Sequence, residues 1–228
     1  MQFANNKNGI YFYTSTKLFF PKETEMKMNK IEYFLMTFDP GRQMYLKGIV
    51  RKLRDISQLP PDKKILEIGC GNGIGTKFIL EFFKPKELVA TDLDPRLVEI
   101  ARMKNKGSKA AFEVGNAADL RFSNNEFDAV VGLSVIHHIP NWKDCIDELQ
   151  RIIKPDGLLI IKELSIETFE TPFGRISRRL VSHPYESMLR KNEFLAYLEK
   201  QGFRICDCRS HSLMFFLSDF FLVARKER

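Results

Sequence analysis

The sequence predicts an α/β fold: a doubly wound, mostly parallel sheet with helices on both faces. Three observations carry this reading. Short apolar segments of strand length alternate with amphipathic segments of helix length from residue 59 to about residue 162. A glycine-rich loop, with Gly69, Gly71, Gly73 and Gly75, separates the first strand of that series from its first helix. Glu67 and Asp92 fall at the ends of the first two strands, the edge at which open α/β sheets bind ligands. Strand, helix and strand at this spacing call for right-handed crossovers and parallel pairing.

The elements follow in order. Residues 1–40 are irregular and rich in aromatics, among them Tyr11, Phe20 and Phe38. Residues 42–57 form an amphipathic helix, with Tyr45, Ile49, Leu53 and Ile56 on one face and Lys47, Arg51 and Arg54 on the other. Pro60 and Pro61 close it. Lys64–Ile68 is the first strand, the glycine loop follows, and a helix runs from Thr76 to Phe83. Leu88–Thr91 is the second strand, ending at Asp92. Pro95 opens a helix with Leu97, Ile100 and Ala101 inward. Ala110–Val114 and Phe127–Leu133 are the third and fourth strands. Lys143–Ile153 is a helix whose inner face is Ile146, Leu149, Ile152 and Ile153. Pro155, Asp156 and Gly157 turn the chain into a fifth strand, Leu158–Lys162. Asn192–Lys200 is a helix, and Phe203–Cys208 and Phe220–Ala224 are two last strands joined by an apolar connection. The expected organisation is an N-terminal helical cap, residues 1–58, on a domain of residues 59–228. Residues 164–191, basic and broken by Pro172 and Pro184, are an inserted lid after the fifth strand.

Composition bounds the function. The chain has 228 residues, 44% of them hydrophobic, enough for one domain with a sizeable core. No apolar run approaches the roughly 18–20 residues of a membrane span, and the first residues lack the pattern of a secretory leader. Cys70, Cys145, Cys206 and Cys208 fit neither a zinc site nor a disulfide framework, so no metal is expected and the cytoplasm is the expected location. The net charge of +7 is uneven: +5 over residues 1–58, −3 over 59–170, +4 over 171–191 and +1 over 192–228. The basic segments suit a nucleic acid, a membrane surface or an anionic substrate, or simply solubilise the chain.

The glycine loop by itself suits a dinucleotide or S-adenosylmethionine (SAM), because missing side chains let a ligand reach free backbone N–H groups. The dinucleotide fingerprint fails here: its third glycine would fall on Ile74 or Thr76. A carboxylate at Glu67 would repel a pyrophosphate but favours the sulfonium and ammonium of SAM. Asp92, nineteen residues beyond Gly73, is placed to accept hydrogen bonds from ribose hydroxyls. The alternative is that Glu67 and Asp92 only cap helices.

These segments resemble a known family. Leu66-Glu67-Ile68-Gly69-Cys70-Gly71-Asn72-Gly73, Thr91-Asp92-Leu93-Asp94-Pro95, Gly115-Asn116-Ala117-Ala118-Asp119-Leu120 and Phe127-Asp128-Ala129-Val130-Val131 are similar to successive motifs of class I SAM-dependent methyltransferases. The turn His137-His138-Ile139 resembles the small-molecule and ubiquinone/menaquinone branch. The resemblance covers roughly residues 60–165 and implies a Rossmann-like, seven-stranded sheet whose last strand is antiparallel. It also implies roles. Glu67, Gly69, Cys70, Gly71 and Gly73 would hold the methionine part of SAM. Asp92 would bind ribose, with Leu93 against adenine. Asn116, where the family usually has Asp, and Ala117 would meet the adenine amino group. Leu133 and Ser134 would line the face of methyl transfer, which leaves S-adenosylhomocysteine (SAH).

Acceptor-side residues are less determined. His137 and His138 are candidates for a general base or for a structural turn; neighbouring rings are expected to diverge, against a metal pair. His183 and Tyr185 are candidates for substrate contact or for loop packing. No Asn/Asp-Pro-Pro-Tyr/Phe tetrapeptide follows the fourth strand, which lowers the expectation of nucleobase or glutamine methylation. Phe169, Phe173, Phe215 and Phe216 fit an apolar, aromatic or lipid-like acceptor, or the core and a dimer contact. The expectation is a small-molecule methyltransferase, monomeric or homodimeric, with peripheral membrane contact through the basic segments. The alternatives are an RNA or protein methyltransferase, a non-catalytic SAM-binding protein and, remotely, an NAD-dependent dehydrogenase.

Overall fold

A computed structural model describes residues 39–171, 174–175, 185–213 and 217–228. The N-terminal aromatics, His183, Phe173, Phe215 and Phe216 lie outside the described residues. Seven strands form one sheet: β1 (Lys64–Ile68), β2 (Glu87–Asp92), β3 (Ala110–Val114), β4 (Phe127–Leu133), β5 (Ile153–Leu164), β6 (Phe203–Leu213) and β7 (Leu217–Lys226). Their order is β3-β2-β1-β4-β5-β7-β6. The pairs among β1 to β5 are parallel, while β7 runs antiparallel to both β5 and β6. The order reverses at β1 and β4, so their carboxyl ends open the crevice in which doubly wound sheets bind ligands.

Helices cover both faces because the central strands are apolar on both. One face packs on α1 (Asp39–Ser57), α2 (Ile74–Phe83) and α3 (Pro95–Lys104). Ile49, Val50 and Leu53 of α1 share an apolar cluster with Ile65, Phe78, Ile160 and Phe221. The first helix is therefore part of this layer, each buried side chain contributing roughly 1.5–3 kcal/mol. Its polar face is exposed at Lys47 and Arg51. The other face packs on α4 (Trp142–Ile152) and α6 (Lys191–Lys200), where Leu66, Ile68 and Val130 meet Leu149 and Phe194. A short helix, α5 (Ile166–Glu170), follows β5.

Details depart from the sequence pattern for local reasons. α3 is capped by Asp94, whose side chain accepts from Arg96 N–H, and its most buried residues are Val98 and Ala101 rather than Leu97 and Ile100. Ile153 leaves the helix one residue early because it pairs with Phe127 of β4. Pro155-Asp156-Gly157 then lies inside β5 as an irregularity, with Asp156 at φ 65°, and pairing resumes at Ala129↔Leu158. The expected apolar connection between the last strands is mostly strand, since β6 runs to Leu213 and β7 begins at Leu217. Among the described residues no helix is long and apolar enough to cross a membrane.

Candidate active site

The glycine loop leaves β1 at Ile68 and enters α2 at Ile74, turning through Gly69, Gly71 and Gly73, all at positive φ. Two glycines show why a side chain is excluded. Gly71 sits at φ 54° with open space where a Cβ would project, so the backbone there presents a bare face. Gly75 is helical, and a Cβ on it would lie 2.7 Å from Leu133 Cδ1 and 2.8 Å from Glu67 Oε1. The first turn of α2 thus lies directly on the Glu67 carboxylate.

Glu67 is 1% exposed. Thr76 Oγ1 donates to its Oε2 at 2.5 Å, while no donor among the described residues reaches Oε1. Burial, countered by the Thr76 bond and reinforced by the charge of Asp92, pushes this carboxyl up to about 8. A buried carboxylate oxygen without a donor suits a ligand that brings N–H groups or positive charge. Cys70 is buried too, and burial followed by the charge of Glu67 pushes its thiol up, which keeps it protonated.

Asp92 ends β2 beside the loop. Its Oδ2 accepts from Gly71 N–H at 2.8 Å and its Oδ1 from Asp94 N–H at 2.9 Å. Burial raises this carboxyl, against the two amide bonds. Helix capping does not account for either acid, since Asp94 caps α3 and no side chain caps α2. Each Asp92 oxygen keeps a lone pair for a hydroxyl. Next to it, Leu93 is 55% exposed, and Val114, paired with Asp92 across the sheet, is 56% exposed. Two bare apolar side chains at strand ends make a platform for a flat ring. Asn116 is exposed, and its Oδ1 accepts from Ala118 N–H at 3.0 Å, so part of its acceptor capacity is used locally; Ala117 is half-buried behind it.

The turn after β4 faces the loop. Leu133 approaches Gly75, and Val135 lies against Gly69, so the turn packs on the glycine loop through the two neighbours of Ser134. Ser134 adopts φ 61°, unfavourable for a residue with a Cβ. Consecutive charged residues at the end of β5 hold it there. Ser134 N–H donates to Lys162 O at 2.7 Å, and Lys162 Nζ donates to Ser134 Oγ at 2.9 Å. Glu163 Oε2 accepts from Val135 N–H at 3.1 Å and from Ile136 N–H at 2.6 Å. Its Oε1 accepts from Leu164 N–H and pairs with His137 Nδ1. Burial would raise the Glu163 carboxyl, but the charge of His137, the hydrogen bonds and Lys162 bring it below the usual range.

His137 is therefore buried and anchored to a carboxylate rather than presented to a ligand. The two imidazoles do not diverge as expected: their centroids are 4.0 Å apart, with His138 stacked at a tilt on His137. A shared 3-10 turn, Ile136–His138, turns the rings to the same side. Tyr185 packs edge-on against Phe169, centroids 5.2 Å apart, in a small cluster with Ile166 and Met188. Sequence reasoning missed Thr76, Lys162, Glu163 and Asp219. The available signal was a Lys-Glu pair closing the apolar run Leu158–Ile161.

Comparison with known proteins adds an independent line. A family model described as a methyltransferase domain matches residues 66–161, from β1 through most of β5. A fatty-acid O-methyltransferase of Mycolicibacterium smegmatis is 26% identical over 139 residues, 57% of this chain and 51% of that protein. A phthiotriol/phenolphthiotriol dimycocerosates methyltransferase of Mycobacterium leprae is 28% identical over 102 residues, 45% of this chain and 38% of that protein. The chain thus spans about half the length, or less, of these relatives. A SAM-dependent methyltransferase structure from Mesorhizobium loti superposes with a TM-score of 0.66 at 16% identity, over 79% of this chain and all of that one, which speaks for the fold. Sheet order and family match converge: residues 66–161 are similar to a methyltransferase domain, on the fold seen in the SAM-dependent methyltransferase structure from Mesorhizobium loti.

Proposed function

We propose that this protein binds SAM across the glycine loop and transfers its methyl group to a small, long-chain apolar acceptor, releasing SAH. The observation that carries the donor half is the buried Glu67 carboxylate, one oxygen of which meets no donor among the described residues, under a loop whose Gly71 backbone is bare. Glu67 and the loop from Gly69 to Gly73 take the cationic methionine part. Asp92 takes the ribose hydroxyls with its remaining lone pairs, and Leu93 and Val114 flank the adenine. Asn116 has one lone pair left for the adenine amino group, beside the Ala117 backbone. Leu133 and Ser134 line the side where the methyl leaves.

SAM supplies a methyl group already activated by its sulfonium. The chain's work is alignment and exclusion of water, which can contribute several kcal/mol, up to about 7–11 in favourable cases. The acceptor class draws support from the two relatives, one named for a fatty acid and one for phthiotriol and phenolphthiotriol dimycocerosates. Peripheral contact with a membrane surface belongs to the same proposal: Met44 is exposed on α1 beside Lys47 and Arg51. His137 serves the site by fixing the β4 turn, and the Tyr185–Phe169 pair packs beside the end of β5, on the acceptor side.

The test is a calorimetric titration of the native chain with SAM and SAH, followed by transfer of labelled methyl from SAM into a total lipid extract. SAH binding with label in an apolar product is expected. A native chain that binds neither SAM nor SAH defeats the donor assignment, and label recovered only in RNA or protein defeats the acceptor class.

A further inference from the structure

The glycine loop follows β1, yet three hydrogen bonds tie it to the unit formed by β2 and α3. Cys70 N–H donates to Thr91 O at 2.9 Å, and Gly71 N–H donates to Asp92 Oδ2 at 2.8 Å. At the far end of the loop, Asn105 Nδ2 donates to Gly73 O at 3.1 Å. Asn105 closes the carboxyl end of α3, 32 residues from Gly73 in the chain. The first two tethers therefore come from the end of β2, and the third comes from the opposite end of the helix that follows it.

Helix termination accounts for only part of this side chain. Asn105 N–H already donates to Ala101 O at 3.0 Å, which closes the last turn of α3 without it. Asn105 Nδ2 reaches Ala101 O as well, at 2.9 Å. One amide nitrogen thus spans two carbonyls, with one hydrogen for each. The bond to Ala101 fixes the side chain on α3, and the second hydrogen serves the loop. The loop lies as close to α3 as bare backbone permits. A Cβ on Gly73, at φ 79°, would fall 2.5 Å from Asn105 Nδ2 and 2.9 Å from Ala101 Cα. Gly73 O also accepts from Lys77 N–H, at a long 3.4 Å, so the first turn of α2 holds this carbonyl weakly and Asn105 supplies the shorter bond.

We propose that Asn105 is a positioning residue of the donor site, which sets the Gly71–Gly73 end of the loop for the amino-acid part of SAM and leaves the nucleoside part to Asp92. This rests on the glycine loop being the donor site. Asn105 acts through Gly73 O and the loop backbone. Without its bond the loop keeps its anchors at Cys70 and Gly71, while Gly73 is left to the long bond from α2. Only a fraction of molecules then presents the whole loop to the ligand, and the apparent affinity falls by that fraction. Asp92 and Leu93 precede α3, so the contacts proposed for ribose and adenine do not pass through Asn105. The loss of Asn105 therefore discriminates between ligands that carry the amino-acid part and ligands that lack it.

The test is calorimetry on the full chain with two probes: SAH, and 5′-methylthioadenosine, which keeps the adenine, ribose and sulfur but has no amino-acid part. Asn105→Ala should raise the Kd for SAH about 3–10-fold, the worth of one hydrogen bond between neutral groups. The Kd for 5′-methylthioadenosine should stay within about twofold of the native value, inside the smallest effect of one such bond. Asn105 is half-buried, so the replacement does not open the core. Asn105→Ser keeps a hydroxyl for the end of α3, one bond short of the crossing, and should show the same split between the probes; it decides the matter if Asn105→Ala does not fold. Equal losses for both probes would make Asn105 a structural cap and overturn the proposal, as would an unaltered Kd for SAH or a loss confined to 5′-methylthioadenosine. A native chain that binds neither probe overturns the donor site and the role of Asn105 with it. Native binding of both probes with unaltered variants overturns the role of Asn105 alone.

Discussion

Replacing Glu67 by glutamine separates what the site costs the fold from what it does for the ligand. Burial raises the Glu67 carboxyl from 4.5 to about 8. An acid whose folded value is raised favours folding while it is protonated. That contribution is complete below about pH 4.5 and is lost as pH rises through about 8. At about 1.4 kcal/mol per tenfold change, keeping Glu67 ionised at pH 9 costs the ligand-free fold on the order of 4–5 kcal/mol. Glutamine has the same shape, stays neutral, and keeps an oxygen for the Thr76 hydroxyl. Glu67→Gln should therefore match the native chain in urea unfolding at pH 5 and exceed it by a few kcal/mol at pH 9. Its affinity for SAM should fall, because the charge that faces the cationic ligand is gone. In the native chain at pH 7, SAM binding should release a proton from Glu67, read as a binding heat that varies with the ionisation enthalpy of the buffer. The variant should lose that dependence. An equal stability difference at pH 5 and pH 9, or undiminished SAM affinity, would refute the reasoning.

Three further perturbations test the surrounding geometry. Gly75→Ala gains up to about 1 kcal/mol of helix propensity, but its Cβ meets Leu133 and Glu67 inside 3 Å. Overpacking of that kind costs about 1–3 kcal/mol, so net destabilisation and weaker SAH binding are expected in urea unfolding and calorimetry; a stabilised variant with native affinity would count against the contact. Asp92→Ala removes the acceptor of Gly71 N–H and the proposed ribose ligand, and one charged hydrogen bond of about 1.5–3 kcal/mol should raise the Kd for SAH at least tenfold; an unaltered Kd contradicts the placement. Glu163→Ala strips the partner from Val135, Ile136 and Leu164 N–H and from the His137 ring, for an expected loss of about 3–5 kcal/mol at pH 7, with Glu163→Gln losing less. Because the Glu163 carboxyl is held low, its contribution is present above about pH 4.5 and fades as pH falls through its folded value, so native and Glu163→Ala stabilities should converge in acid.

The parts of the site that follow from local chemistry were legible in the sequence. Phe127–Leu133 reads as a strand because Ala129, Val130 and Val131 make a continuous apolar run, and the loop after Ile68 reads as a ligand loop because Gly69, Gly71 and Gly73 alternate along it, each at a positive φ that favours glycine. Pro95 marks the first turn of α3 from its own ring geometry. Boundaries failed where a distant partner decides them: Ile153 continues the helical pattern, yet pairing with Phe127 draws it into β5. The β6–β7 hairpin is long for the same reason, since pairing from Phe203↔Lys226 to Leu213↔Leu217 carries both strands past their apolar cores.

The cluster of Tyr45, Lys162 and Asp219 was illegible for a stronger reason. Lys162 and Asp219 are 57 residues apart, and Tyr45 and Asp219 are 174 apart. Each residue taken singly reads as an ordinary surface charge or core aromatic. Only the antiparallel insertion of β7 beside β5 sets Asp219 opposite Leu164 and within reach of Lys162, and only the packing of α1 on that face brings Tyr45 over it. β5 then does two jobs with neighbouring residues, because successive side chains of a strand point to opposite faces. Lys162 reaches the α1 face and fixes Ser134, while Glu163 reaches the α4 face and fixes Val135, Ile136 and His137. The turn that borders the glycine loop is thereby clamped from both sides of the sheet. Loosening either clamp should move Leu133 and Val135 together, and with them the walls that press on Gly75 and Gly69. Lys162→Met tests this: with Asp219→Asn in the same chain the buried Lys162–Asp219 pair is removed whole, so weaker SAH binding would trace to the freed turn, and native SAH affinity would show that Glu163 holds it alone.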